Sequence, residues 1–320
     1  MFPDGSIIQP MSKKTWKDHL LSSGLPLEYS VIRIFEELGI RDPGEYSYER
    51  KTSDGLSQVF SVDVHAKKVD PKRDLHIECL VECKYRHDGT KWVFMPREYG
   101  EIFMSGPSFA KLFVTMDQCC VDRELDRSVL EKFENTYPLC ARGIELLPED
   151  ANPKTIEQAV QQLRYAVVAK AIDAIEWQLI PWGDTTPMHV IIPVIVTTAE
   201  LWRLKVGMTV EDIRGAEEIT TVADPHDVLV LLQKPDNLNE RDTRERFQEA
   251  FSTQKQTELK GLFAQTRNYS FNIFMSEFAT HTPSMFIVIS YKRVKTAMKN
   301  LHSFFASDRL IKKREKKGKA

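Results

Sequence analysis

The feature that most constrains the fold of this chain is a stretch from Phe60 to Phe94 with the pattern of a β-hairpin. Its two arms, 60–67 and 76–85, alternate apolar and polar residues with a period of two, which is typical of paired, half-buried strands. The Asp70-Pro71 dipeptide indicates a turn between them. Pairing Asp70 with Leu75 leaves a loop of four residues, a common hairpin length, and this choice fixes the register of the hairpin.

The register predicts which side chains share a face. It places Asp63 directly opposite Glu82, and Lys84 follows two positions later on the same side of its strand. Opposed Cβ atoms in a sheet lie roughly 5 Å apart, so two carboxylates and an ammonium group should form one cluster. The other face should carry Phe60, Val62, Val64 and Ala66, with Val62 opposite Cys83 and Val64 opposite Val81.

Asp63, Glu82 and Lys84 together suit metal-assisted phosphodiester hydrolysis. Two carboxylates can hold Mg²⁺, which usually keeps water and accepts phosphate oxygens as its other ligands. A bound metal polarises the phosphate and generates hydroxide, while a lysine can orient the water or offset developing charge. The alternative is structural, because the same three residues can form a solvated salt-bridge ladder on an exposed sheet face.

The spacing between Asp63 and the Glu82-Cys83-Lys84 tripeptide resembles the motif of the PD-(D/E)XK nuclease superfamily, although Val62 stands where the motif name has a proline. The resemblance implies a restriction-endonuclease-like core with the element order αβββαβ. It also implies an Mg²⁺-dependent DNA endonuclease in which Mn²⁺ substitutes for Mg²⁺, active in restriction, phage defence or DNA processing. Asp63 and Glu82 would be metal ligands, and Lys84 would assist the water.

Two more residues enter through the resemblance. Glu28 lies in the first turn of a helix predicted to begin near Pro26. Mrr-like and archaeal-resolvase-like members of the superfamily have an early glutamate in the metal cluster, so Glu28 is predicted as a third ligand. The alternative is that an acidic residue simply favours a helix N-terminus through the helix dipole. Gln161 and Tyr165 match the Q-x-x-x-Y spacing of RecB-like nucleases, so Gln161 is expected to steady the site, although Gln162 follows where an apolar residue is usual.

Glu78 provides a contrast with these candidate ligands. The same register pairs it with Lys67, and we interpret the two as a surface ion pair worth about 0.2–1 kcal/mol. Substituting Lys67 should therefore leave the candidate site intact.

The chain is predicted to be a mixed α/β protein in four parts. These are an arm with a short helix (1–24), a nuclease-like domain (25–204, with an insertion at about 87–150), a C-terminal accessory α/β region (205–306) and a basic tail (307–320). The accessory region either extends the sheet or forms a separate lobe. A helix from Thr155 to Gln178 and an apolar strand from Val190 to Val196 should complete the core. Because proline donates no ladder hydrogen bond, Pro193 should require an edge position or a bulge.

Charge is distributed unevenly along the 320 residues. The formal net charge is −2, but the last twelve positions hold seven Lys and Arg beside one Glu, leaving 37 basic and 45 acidic residues, or −8, elsewhere. Because residues 1–308 are this acidic, they should not bind polyanions generally, and contacts with DNA should be confined to a small region. The segment from Arg309 to Ala320 is expected to be disordered and to contact the DNA backbone through Arg309, Lys312, Lys313, Arg314, Lys316, Lys317 and Lys319.

Composition favours a cytoplasmic protein with no membrane partner. No apolar run reaches the roughly 18 residues of a membrane span, and the first residues lack a secretory apolar segment. The five cysteines show no zinc spacing. Cys79 and Cys83 should lie about 13 Å apart along one strand, too far for a disulfide, which fits a reducing compartment.

Other functional classes are weighed against the nuclease. The alternative is a non-catalytic nucleic-acid-binding or scaffold protein that keeps the nuclease fold, but the complete set of Asp63, Glu82 and Lys84 argues against it. An unrelated enzyme is disfavoured because the chain has no Gly-rich phosphate loop, GxSxG elbow or HExxH motif. Three points stay open at this stage: whether the substrate is DNA or RNA, whether the protein nicks or cuts both strands, and whether it forms a homodimer.

Overall fold

The structure is a computed structural model that describes residues 15–51, 54–99, 114–115, 123–126, 133, 135–147, 151–152, 154–179, 187–266, 271–307 and 311–313. Its architecture is α/β, with a mixed sheet of twelve described strands and helices on both faces. The α/β fold class predicted from the sequence is therefore confirmed. None of the described helices is long and apolar enough to cross a membrane.

Nine α-helices lie within the described residues: α1 (Trp16–Ser22), α2 (Leu25–Glu37), α3 (Lys154–Leu179), α4 (Val210–Gly215), α5 (Ile219–Val222), α6 (Asn237–Ala250), α7 (Thr253–Thr266), α8 (Phe271–His281) and α9 (Val294–Phe305). The strands are β1 (Arg41–Lys51), β2 (Ser57–Asp70), β3 (Leu75–Lys84), β4 (Lys91–Pro96), β5 (Val114–Thr115), β6 (Arg123–Leu125), β7 (Leu139–Leu146), β8 (Ala151–Asn152), β9 (Met188–Thr197), β10 (Glu200–Leu204), β11 (Ala223–His226), β12 (Val228–Leu232), β13 (Met285–Ser290) and β14 (Ile311–Lys313).

The main sheet has the strand order β1-β2-β3-β9-β13-β12-β7-β4-β10-β11, with β5 beside β9 and β8 beside β7. Strands β1, β2 and β3 form an antiparallel meander, and β9 lies parallel to β3. Helix α3 provides the connection that a parallel neighbour needs. Strands β12 and β13 belong to the same sheet, so the C-terminal region extends the sheet. The predicted domain boundaries themselves stay predictions.

Two hydrophobic clusters cover the two faces of the sheet. One includes buried residues of α2 and α9, and the other includes buried residues of α3, α6, α7 and α8. Strand β3 contributes to both clusters, because its odd-numbered residues from 77 to 83 pack in the first and Leu80 packs in the second. The side of β3 that carries Leu80 also carries Glu78 and Glu82, which therefore face α3.

Helix α2 has the ends expected from its sequence. It begins after Gly24, whose φ of 84° suits glycine, and Pro26 lies in its first turn, where no intrahelical donor is needed. Gly39 follows the helix with a φ of 76°, the left-handed conformation that commonly ends helices. Leu27 and Val31 are buried against the sheet, so Glu28 is held near the edge of that contact.

The predicted hairpin register is confirmed from Asp70–Leu75 through Val64–Val81. Beyond that pair the prediction is wrong, because the ladder between β2 and β3 stops there and does not reach Asp63–Glu82 or Val62–Cys83. The reason is a β-bulge: Gly44 pairs with His65 but Tyr46 pairs with Val62, so β2 has one extra residue at this point. Val62 consequently packs with α3, whereas Val64 packs with α2. The predicted common face of Phe60, Val62, Val64 and Ala66 is split at Asp63.

Pro193 lies inside the sheet without an edge position or a bulge, so this expectation is also wrong. Strand β9 pairs with β3 in unbroken register along its whole length. On its other side, β5 pairs with Val190 and Ile191, and β13 pairs from Val194 onward. Among the described residues, Pro193 has no ladder partner on that side, where the N–H that proline lacks would be needed.

The C-terminal tail contains a short strand. Residues Ile311–Lys313 form β14 and pair antiparallel with Arg123–Leu125, so the expectation of disorder is wrong for these three residues. Lys312 is paired with Glu124 in this ladder. Arg309, Arg314, Lys316, Lys317 and Lys319 lie outside the described residues.

Gly143 on β7 offers a test of how closely the α3 face is packed. A Cβ atom at this position would lie 2.5 Å from Cε1 of the buried Phe94 ring. We expect Gly143→Ala to destabilise the protein by about 1–3 kcal/mol in urea unfolding, because overpacking a core forces side chains to shift. Gly261→Ala is the matched control: no atom would meet its Cβ, and in helix α7 alanine should stabilise by about 0.5–1 kcal/mol. Equal effects of the two substitutions would contradict this packing.

Candidate active site

The candidate site is built on the C-terminal end of β3. This strand lies between β2 and β9 and is covered on both faces, so its side chains are almost all buried. Glu82 is 1% exposed, and its Oε1 atom lies 2.6 Å from Nζ of Lys84. Lys84 Nζ also donates to Oε1 of Gln162 on helix α3 at 3.1 Å. The predicted proximity of Glu82 and Lys84 is therefore present, but in a buried setting and not on an exposed sheet face.

Asp63 joins the site through the β-bulge. Its Oδ2 atom accepts a hydrogen bond of 2.6 Å from the backbone N–H of Cys83, between Glu82 and Lys84 in the chain. The Asp63 carboxylate thus accepts a hydrogen bond from the backbone of β3 just beyond the last backbone pair between β2 and β3. Bulges commonly redirect a side chain in this way next to functional sites.

Three described carboxylic acids are buried in this protein: Glu78, Glu82 and Glu145. Both oxygens of Glu145 have donors, with Arg86 and Trp92 on Oε2 and Thr155 on Oε1. Glu82 differs, because its Oε2 atom is buried and has no hydrogen-bond partner among the described residues. A buried oxygen without a partner is costly, and native structures usually provide one. This oxygen is therefore free to accept a bond from a cation or a proton.

The pKa values of the acidic residues show that they influence one another. Burial raises the pKa of Glu82 to about 7; Lys84 opposes the rise, and Asp63 and Glu28 add to it. Burial also raises the pKa of Asp63, against the hydrogen bond from Cys83. Each of these acids would release its proton more readily beside a cation.

Glu28 lies at the same site from the other side. Burial is the main cause of its raised pKa, with contributions from the nearby charges of Asp63 and Glu45. Glu45, an exposed residue of β1, also raises the pKa of Asp63. Sequence analysis gave Glu45 no role, because an acidic residue in a short polar strand carries no pattern.

The amide that contacts Lys84 belongs to Gln162. Gln161, which the resemblance to RecB-like nucleases indicated, is half-buried, and its Oε1 atom is buried without a partner. The two residues are adjacent on α3, and the hydrogen bond goes to the one for which an apolar residue was expected. We assign the contact to Gln162, and the role of Gln161 stays a prediction.

The interpretation of Glu78 as a surface partner of Lys67 is wrong. Lys67 and Glu78 are paired in the backbone register, but Glu78 is fully buried. Its carboxylate instead contacts His65 at 2.8 Å, His189 at 2.9 Å and Lys170 of α3 at 3.1 Å. Burial alone would raise the pKa of Glu78, but these three partners outweigh it and hold the pKa well below its usual range. Sequence reasoning missed this network because His189 and Lys170 come from distant segments.

The ligand atoms of the two groups are spaced differently. His76, Glu78 and His189 each place one atom within 4.8 Å of the others, a spacing compact enough to hold a metal ion. Among the described residues, Glu28, Asp63 and Glu82 do not form so compact a group. Mutual repulsion of carboxylates and the ion pair between Glu82 and Lys84 account for this spacing.

A groove of about 920 Å³ lies between β1 and α6, beside the candidate site. Tyr48 connects the two, because its hydroxyl donates to the backbone oxygen of Gln162. The groove is lined by four basic and five acidic residues, and Arg50 and Lys51 are already paired with Asp242 and Glu249. Its charge is therefore too balanced to attract phosphate groups.

The raised pKa of Glu82 predicts how stability depends on pH. In metal-free protein, the folded state binds the Glu82 proton more tightly than the unfolded state does, and this binding stabilises the folded state. The stabilisation is complete below the ordinary pKa of 4.5 and is lost as pH rises through the raised pKa of about 7. The loss should be on the order of 3 kcal/mol. The free energy of unfolding can be measured in urea with EDTA at about pH 5 and about pH 8. It should fall from the lower to the higher pH for wild type, and clearly less for Glu82→Gln. A Glu82→Gln profile as steep as that of wild type would contradict the raised pKa.

Glu78 should matter far more for stability than its register partner. Replacing Glu78 by alanine leaves the mostly buried Lys170 ammonium beside two imidazoles with only the 3.9 Å contact to Asp173, which should cost about 3–5 kcal/mol. Lys67→Ala should change the free energy of unfolding by about 0.5 kcal/mol or less, because Lys67 lies over the ring of the exposed Trp177. Comparable losses of stability in the two variants would instead support a surface ion pair between Glu78 and Lys67.

Comparison with known proteins adds no family assignment. No protein-family model matches the chain, and neither a curated protein nor a solved structure matches it.

Proposed function

We propose that this protein is a metal-dependent endonuclease that hydrolyses phosphodiester bonds in DNA, with a restriction-endonuclease-like core. The observation that carries the proposal is the buried, partnerless Oε2 atom of Glu82, beside Asp63 and Lys84.

The order of elements supports the proposal. Helix α2, the antiparallel strands β1 to β3, helix α3 and the parallel strand β9 follow one another in the chain, with residues 85–153 inserted before α3. This is the αβββαβ order that the sequence resemblance implies. The candidate residues lie on α2, β2, β3 and α3, which are the elements that the resemblance assigns to them.

The donor set fits a hard divalent cation. Asp63 and Glu82 are carboxylates, and both have pKa values raised by burial, so a cation between them would relieve their repulsion. Glu28 is a third acid of this group, because the charge of Asp63 contributes to its raised pKa and Glu28 contributes to the raised pKa of Glu82. Mg²⁺ bound here would polarise the phosphate and lower the pKa of a bound water.

The side chains of the protein have separate tasks in this proposal. Asp63 is held by the Cys83 N–H, so one of its oxygens is fixed in position. Lys84 is held by Glu82 and Gln162, which place its ammonium beside the acids, where it can orient water and offset negative charge on the phosphate. Its burial strengthens this effect, because charges interact more strongly away from bulk water.

Contacts with DNA outside the site are assigned to the basic tail. Lys312 and Lys313 lie on β14. The last twelve residues hold seven Lys and Arg beside one Glu, whereas the rest of the chain is acidic. Contacts of this kind bind the phosphate backbone without reading sequence. A homodimer would allow cleavage of both strands and is part of the proposal.

Plasmid cleavage in Mg²⁺ tests the function most simply. Wild type should nick or linearise supercoiled DNA, Mn²⁺ should replace Mg²⁺, and EDTA should abolish cleavage. Lys84→Ala should lower the rate by roughly 10²-fold or more, as removal of a stabilising donor does in other enzymes. Lys67→Ala should leave the rate nearly unchanged, because Lys67 belongs to the same sheet but contacts Trp177.

Gln162 and Gln161 form a second matched pair on one turn of α3. Gln162→Ala should lower the cleavage rate, because Lys84 loses one of its two partners, and Gln161→Ala should lower it less. Equal losses for Lys84→Ala and Lys67→Ala would contradict the proposed site. Binding of DNA without cleavage in any metal would favour the alternative, a non-catalytic nucleic-acid-binding or scaffold protein.

A further inference from the structure

A second group of ionisable residues lies on the same face of the sheet, toward the start of β3. His76 of β3 is paired with His189 of β9 in the parallel ladder, and their ring centroids are 4.6 Å apart at nearly a right angle. His189 is 2% exposed and His76 is half-buried. Glu78 lies beside them on β3, within 2.9 Å of the Nδ1 atom of His189.

Each of the two rings has a buried nitrogen with no hydrogen-bond partner in the part of the chain that the structure describes. These atoms are Nδ1 of His76 and Nε2 of His189. Two partnerless imidazole nitrogens in adjacent positions are unusual, because buried polar groups are normally hydrogen-bonded. A cavity that merely packed two histidines would gain by pairing these atoms with each other or with the backbone.

The contacts of Glu78 determine which nitrogen of His189 is free to bind a metal. Glu78 accepts from His65 and lies close to the Lys170 ammonium, so it is a carboxylate that can only accept. His189 must therefore donate its Nδ1–H to Glu78, which leaves the Nε2 lone pair available. Histidines that bind metals usually donate their other N–H to a carboxylate in this manner.

We propose that His76 and His189 bind a divalent transition-metal ion of the Zn²⁺ type, with Glu78 holding His189 in the required tautomer. Each of His76, Glu78 and His189 already places one ligand atom within 4.8 Å of the others. Imidazole ligands suit Zn²⁺, Cu²⁺ or Ni²⁺ and not Mg²⁺, and water can complete the coordination on the half-buried side of His76. Both oxygens of Glu78 already have partners, with His189 on Oε1 and His65 and Lys170 on Oε2, so the two imidazoles are the direct ligands. The site is separate from the Glu82 cluster and does not depend on the nuclease proposal.

Zn²⁺ titration of histidine-labelled protein, followed by long-range ¹H–¹⁵N NMR, tests this site directly. The sequence has eight histidines, and excess Mg²⁺ throughout would occupy the carboxylate cluster. We expect the ¹⁵N chemical shifts of the His76 and His189 ring nitrogens to change saturably, with the largest change at Nε2 of His189. His76→Gln should weaken Zn²⁺ binding at least tenfold. His302→Gln is the matched control and should bind Zn²⁺ as wild type does. His302 is also half-buried with a partnerless nitrogen, but among the described residues it belongs to no group that could hold a metal ion.

Thermal unfolding of the wild-type protein provides a second measurement that needs no variant. Zn²⁺ in the presence of excess Mg²⁺ should raise Tm by several degrees, because an ion that binds the folded state stabilises it. Unchanged ring signals of His76 and His189 at saturating Zn²⁺, or changes confined to the exposed His19 and His87, would overturn the proposal. Unaltered Zn²⁺ affinity in a folded His76→Gln protein would overturn it as well.

Discussion

The burial of β3 is the constraint on which the rest of the structure depends. The strand lies between β2 and β9 under helix α3, yet it carries Glu78, Glu82 and Lys84 on its α3 face. Charges removed from water must be compensated by partners, or their burial is too costly. The fold answers this requirement differently at the two ends of one strand.

At the start of β3, compensation of the carboxylate is complete. Glu78 has donors from β2, β9 and α3, and its pKa is held low. The cost falls on the imidazoles, which retain two partnerless nitrogens. At the end of β3, compensation is incomplete, because Glu82 has Lys84 on one oxygen and no described partner on the other. The first arrangement suits a metal with nitrogen ligands, and the second suits a metal with oxygen ligands.

Much of the fold follows from local sequence patterns. Period-two alternation, the Asp70-Pro71 turn and the glycines around α2 predict elements that the structure contains, and the hairpin register is right for seven successive pairs. The bulge at Asp63 could not be predicted, because it follows from how β1 and β2 pair and not from the residues of β2 alone. Without the bulge, Val62 and Val64 would share a face.

The candidate site was predictable only in part, for the same reason. Glu82 and Lys84 are two residues apart on one strand, so their proximity follows from its alternation, whereas Asp63 reaches them through a bulge that the hairpin register did not predict. The contact from Gln162 and the network around Glu78 involve helix α3 and strand β9, more than a hundred residues away in some pairs. Which of two adjacent glutamines points at Lys84 depends on the rotation of α3 against the sheet, and a short spacing motif does not determine that rotation. The resemblance to the nuclease superfamily remains a proposal that the site supports.

Calorimetric titration of Mg²⁺ into the protein tests the central claim that the end of β3 is a cation site. Wild type should bind Mg²⁺ saturably, and Asp63→Ala and Glu82→Ala should each lose most of that affinity while staying folded. Glu36→Ala is the control, since Glu36 is an exposed acid of α2 paired with Arg33, and it should bind as wild type does. Undiminished Mg²⁺ affinity in folded Asp63→Ala and Glu82→Ala proteins would contradict the account.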